Sequence, residues 1–249
     1  MLAHGDTSNV SVVNTTASQA LAGPSYEGPR PLSITDFTKG GTDRGARGSA
    51  QNQHLTQTEP NEMSHTDPIA TPVEVLSFWF SDPVRPLWFA ATPEFDDALR
   101  GRFLATHRAA AAGELADWET TAEGALALVI ALDQFPLNMF RGQPQAFATE
   151  ASALGVAGRA LACGLEQALP PEQQVFLYMP FMHSEALEDQ ERSVHLFQQP
   201  GLEQALGFAR HHRGLILRFG RFPHRNVILG RASTAEEVAY LDSAEAFRG

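Results

Sequence analysis

Two residue types are nearly missing from this 249-residue chain: it holds one cysteine, Cys163, and one lysine, Lys39. A single cysteine excludes a disulfide framework and a thiolate zinc site within one chain, and it fits a reducing, cytoplasmic compartment. In the small-residue run GRALACGLEQ, Cys163 reads as a small core residue on a helix. With lysine so scarce, every basic residue after position 62 is arginine, a bias of composition that makes arginine weak evidence for bidentate recognition. No run of 18 apolar residues occurs, which excludes a spanning helix and a membrane partner. Sustained strand-type alternation and hairpin dipeptides are missing too, so no sheet is expected. The chain also lacks HExxH, GxSxG, a phosphate loop and a dinucleotide fingerprint, and no two histidines lie four apart. That removes the motif-bearing enzyme classes, identifies no cofactor and predicts no metal centre.

Charge and aromatics are unevenly spread. The formal net charge is −11, and most of it falls after residue 62, where a net acidic domain makes a poor general nucleic-acid binder. Residues 1–62 hold only two aromatics, Tyr26 and Phe37, and are mostly Gly, Pro, Ser, Thr, Asn and Gln. Such a segment cannot bury enough apolar surface to offset its conformational entropy, so residues 1–65 read as a disordered tail. Met63 stands just before the first folding signals, and a start there is an alternative reading.

From residue 71 to the end the periodicity is helical, and about eight helices are expected. Thr71-Pro72-Val73-Glu74 is a capping box opening a helix through Phe80, and Thr92-Pro93 opens a second that ends at Gly113. Further helices are expected over 121–135, 149–163, 171–179, 184–198 and 201–222, with a last one capped at Thr234. Pro136 and Pro180 should each break a helix.

Three proline corners carry the candidate chemistry: DQFPLNMFRG from Asp133, YMPFMHSEALEDQ from Tyr178, and GRFPHRNVILGR from Gly220. Asp133 falls four residues after Val129 and seven after Leu126, on one face of an apolar helix, so its carboxylate needs a partner, expected to be an arginine or backbone donors. Asn138 and Arg141 follow, Asn138 as a local backbone cap or a ligand contact. At the second corner Ser184 is placed to cap the next helix, and the acids from Glu185 on suit a helix N-terminus. His183 sits between proline and helix start as a ligand or proton carrier. Gln190 lies on a buried stripe where its amide must find partners. The third corner presents His224, Arg225 and Asn226.

The segments VLSFWF, DQFPLNMFRG, YMPFMHSEALEDQ and RFPHRNVILGRASTAEE, in this order, resemble the signature segments of the largely bacterial family called domain of unknown function 924. The resemblance spans about Pro72 to Leu241. It implies an all-α array similar to tetratricopeptide-repeat domains, with no established reaction.

Three functions follow as expectations. In the first, the corners converge on a pocket for a small anionic molecule, with Arg141, Arg225 and His183 as contacts and Asp133 and Gln190 orienting them. The second is a hydrolase-like enzyme, metal-assisted in one form, using His183 with Glu185 or Asp133. The third is a peptide-binding scaffold of the tetratricopeptide kind.

Overall fold

A computed structural model describes residues 68–247. The segment read as a tail, and the alternative start at Met63, lie outside the described residues. Within them the chain forms nine α-helical segments and no strand: α1 (Pro72–Trp79), α2 (Pro93–Ala111), α3 (Ala122–Val129), α4 (Phe135–Met139), α5 (Glu150–Ala162), α6 (Pro171–His183), α7 (Leu187–Leu196), α8 (Glu203–Phe219) and α9 (Ala235–Leu241). A π turn at Ile130–Gln134 joins α3 to α4, so these two form one rod and the described residues hold eight. No helix among them is long and apolar enough to cross a membrane.

The starts are set by the expected side chains. Thr71 and Thr234 each close a capping box, with Glu74 and Glu237, and the hydroxyls of Thr92 and Thr121 accept from Phe95 and Gly124. Each such cap is worth about 1 kcal/mol because it satisfies a backbone N–H that the helix itself cannot. The helix expected over 201–222 stops at Phe219, because Gly220 follows it at φ 69°, the left-handed conformation in which a side chain is strained.

Helices adjacent in sequence pack on one another from α5 to α8, while α1 and α2 lie against the α3–α4 rod. That rod is buried nearly all round, as its uniformly apolar sequence requires. Around it the main core gathers Trp79, Leu99, Phe103, Phe135, Phe176, Tyr178 and Phe197. A separate, smaller core holds Leu215, Ile216, Phe222 and Tyr240.

Both internal prolines depart from expectation. Pro136 does not break its helix: the backbone widens to a π turn just before it, and side chains from other segments take the carbonyls thereby released. Pro180 lies inside α6, which continues to His183. The extension is held from outside, since Gln190 Nε2 donates to the carbonyls of Met182 and Ser184 at 2.7 and 2.6 Å and approaches that of Phe181 at 3.4 Å. Consequently α7 starts at Leu187, three residues later than expected, with Ala186 rather than Ser184 at the cap position. Cys163 is exposed at the end of α5 and is not a core residue.

Candidate active site

Asp133 stands within the π turn, in the middle of the α3–α4 rod, its side chain fully buried. Its partner is neither arginine nor backbone. Asp133 Oδ1 lies 2.8 Å from His183 Nδ1, and Oδ2 accepts from Gln134 Nε2 at 2.6 Å. A carboxylate already accepting on one oxygen acts as acceptor on the other, which places the proton of His183 on Nδ1 and leaves Nε2 as the ring's remaining polar atom. The imidazole is 16% exposed, at the last residue of α6. Burial pulls its pKa down, but the charge and hydrogen bond of Asp133, helped by the charge of Glu150, prevail and hold it above the ordinary histidine value.

Glu185 ties the second corner to the third. It accepts from Phe222 N–H at 2.8 Å and from Arg231 at 2.7 and 3.0 Å. Burial would raise its pKa, yet these donors and the charge of Arg225 keep the carboxyl below its usual value. It lies before α7, so its partners, rather than a helix dipole, account for it. Ser184 donates to Asp189 at 2.7 Å and accepts from Ala186 N–H at 3.2 Å, and so braces the turn.

Arg225 is buried between the rings of Phe147 and Phe222, 4.6 Å from each centroid. It donates through Nη1 to Glu150 Oε2 at 2.9 Å, and Nη2 is 2.9 Å from Oε1. Burial pushes the Glu150 carboxyl above its usual value against the charges of Arg225 and His183. Beside these groups opens a cavity of about 380 Å³, lined by Glu150, Glu185, Arg225 and Ser184 on its polar side and by Phe147, Leu154, Pro180 and Leu229 on its apolar side.

The three corners therefore meet: Asp133 with His183, and Glu185 with Arg231 and Phe222. Not every expected residue joins them. Arg141 pairs with Asp96 of α2 at 2.7 and 3.1 Å and with Asn138 at 2.9 Å, and Asn138 donates to the Gln134 carbonyl at 2.9 Å, a local backbone cap. Gln190 spends its amide N–H groups on the end of α6. Asn226 is fully buried and staples its own loop, donating to Ser233 at 3.1 Å and accepting from Arg231 at 3.0 Å. His224 packs on Phe222 and Phe247, and burial and the charge of Arg225 push it down to about 4.

Glu150 and Arg231 were not foreseen at the site. At the start of α5, Glu150 has the appearance of any first-turn acid, and Arg231 that of one more member of a basic stretch. Among the described residues no group of three His, Cys, Asp or Glu side chains is arranged to hold a metal ion.

Fold and site together define an all-α domain in which a buried carboxylate–imidazole pair lies near a small cavity, whose wall is formed by Glu150, Pro180 and Ser184 around the pair and not by Asp133 or His183 themselves. More narrowly, the chain belongs to the family described as bacterial protein of unknown function, DUF924, whose profile matches residues 75–245. A solved structure of a protein of unknown function from Agrobacterium tumefaciens is 41% identical, with a TM-score of 0.66, over 69% of this chain and 96% of that one. No curated protein matches.

Proposed function

We propose that the protein is an enzyme in which His183, oriented by Asp133, carries a proton to or from a small organic substrate bound in the adjoining cavity. The observation that carries this reading is the 2.8 Å contact between His183 Nδ1 and the buried Asp133 carboxylate, itself braced by Gln134. With Nδ1 engaged, Nε2 of the neutral ring is the base, and the same atom of the protonated ring is the acid. The charge and hydrogen bond of Asp133 raise the proton affinity of the ring above the ordinary histidine value, which strengthens Nε2 as a base.

This reading accounts for more than the anion pocket does. Arg225 is already paired with Glu150, Arg231 with Glu185, and Arg141 with Asp96, so an anion would have to displace a carboxylate to reach any of them. The polar groups also gather at helix ends, away from the long faces on which a tetratricopeptide-like array would bind a peptide. A metal-assisted form has no ligand set to rest on among the described residues.

The test is substrate discovery by difference. A bacterial metabolite extract is incubated with the protein and with His183→Asn, and compounds consumed or formed are read by mass spectrometry. A change made by the wild type should slow by about 10²- to 10⁴-fold in the variant, the usual weight of a general acid or base. Identical conversion by both proteins would sink the proposal.

A further inference from the structure

Two side chains on other segments control how Asp133 is presented. In a regular helix the N–H of residue 135 would bond the carbonyl of Ala131, and that of residue 136 the carbonyl of Leu132. Here Phe135 N–H goes back to Ile130 instead, and residue 136 is a proline with no N–H to give. Two adjacent carbonyls immediately before Asp133 thus lose their helical donors, in a core where an unmet carbonyl is costly.

Both are met from outside the helix. His107, buried on α2, places Nδ1 2.9 Å from the Ala131 oxygen; a carbonyl only accepts, so the ring carries its proton there. Thr149 donates its hydroxyl to the Leu132 oxygen at 2.5 Å. Thr149 forgoes a commoner role to do this. Thr149 occupies the cap position of α5 yet makes no cap bond, although a threonine there ordinarily stabilises its helix. His107 packs its ring against Phe140, and burial, with the charge of Arg108, holds it below its ordinary pKa despite the bond to Ala131.

We propose that His107 and Thr149 are positioning residues: by bonding the carbonyls of Ala131 and Leu132 they hold the π turn in place, and with it the angle at which Asp133 meets His183. Without His107 the Ala131 carbonyl gains by reclaiming the Phe135 N–H, which tightens the segment toward an α-helical register; without Thr149 the Leu132 carbonyl, which no helical register can serve across Pro136, must move to find another donor; either movement turns Asp133 away from the imidazole. The inference goes beyond the proton-transfer reading, because it concerns the geometry of the pair whether or not the pair performs chemistry.

The experiment is an NMR titration of His183, its Cε1–H resonance assigned by its loss in His183→Asn. In Thr149→Val, which keeps shape and removes the hydroxyl, and in His107→Phe, the proton affinity of His183 should fall at least threefold. Thr149→Ser should restore the wild-type titration. Repeated in an Asp133→Asn background, Thr149→Val should no longer shift His183, since the effect passes through Asp133. An unchanged His183 titration in both variants, with only stability reduced, would show that the two residues merely brace the fold and would overturn the proposal. So would an equal shift in the Asp133→Asn background. Should one variant fail to fold, the other still decides. A positive titration alongside a catalytically silent His183→Asn would remove the proposed function and leave this inference standing.

Discussion

Acid should destabilise this protein through a histidine that lies behind the site. His212 on α8 is 6% exposed, its ring set edge-on against Phe222 and Phe247, with Nδ1 donating to the Phe208 carbonyl at 2.9 Å. Burial, aided by the nearby His183, His211 and His224, depresses its pKa to about 3. A depressed histidine binds its proton in the unfolded chain first, so the stability tied to its neutrality is present above the unfolded pKa, about 6.5, and is lost as pH falls from there toward the folded value. The full linkage over that interval is about 5 kcal/mol, of which about 3 kcal/mol is already lost at pH 4. Set against a typical total of about 5–15 kcal/mol, that is enough to bring the protein close to unfolding. The perturbation is His212→Phe, which keeps an aromatic ring in the same slot and removes the titration. Urea midpoints at pH 7 and pH 4 give the answer. At pH 7 the variant should lie within about 1 kcal/mol of wild type, the value of the lost hydrogen bond. At pH 4 it should have lost about 3 kcal/mol less than wild type has. An equal acid loss in both proteins would refute the argument, because it would mean that His212 either titrates normally or is hydrated in the folded state.

His183 should act in the opposite sense. Its raised pKa contributes stability that is complete below about pH 6.5 and is lost as pH rises through the folded value; in Asp133→Asn this alkaline-side decline should disappear, as urea midpoints between pH 6 and pH 9 would record. Gln190→Leu strips the donors from the last carbonyls of α6 and should cost about 2–4 kcal/mol in chemical denaturation, since two buried acceptors are left unmet at about 1–3 kcal/mol each less some relaxation. Gly124→Ala should destabilise by about 2–3 kcal/mol, because a Cβ there would stand 2.1 Å from the Trp118 carbonyl oxygen, a backbone atom that cannot swing aside as a flexible side chain can; a thermal midpoint unchanged from wild type would contradict that.

Most of the fold could be read in the chain because its signals are local. Thr71, Thr92 and Thr234 bond backbone three residues on. The two internal prolines escape a local reading for the converse reason. Whether Pro136 ends a helix depends on donors at positions 107 and 149, and α6 runs on to His183 under a cap supplied by Gln190. None of these partners is adjacent in sequence. The same limit applied at the site. Asp133 and His183 could be singled out, and Asp133 could be named with Glu185 as a carboxylate for His183, but that Asp133 is the one, across 50 residues, could not be decided from the chain. Glu150 stayed hidden because the first turn of a helix is where an acid is least remarkable.

The division between the two apolar cores bears on when the site exists at all. Asp133, His183 and Glu150 belong to helices that build the larger core, whereas Arg225 and Arg231 arrive on the chain around Phe222, in the smaller one. The pairs Arg225–Glu150 and Arg231–Glu185 fasten that segment across the boundary. If the C-terminal segment lifts away, both arginines leave together and one polar wall of the cavity goes with them. Docking of that segment and assembly of the site are therefore a single event, and any ligand that needs the complete cavity is at the same time a clamp on the C-terminal end of the protein.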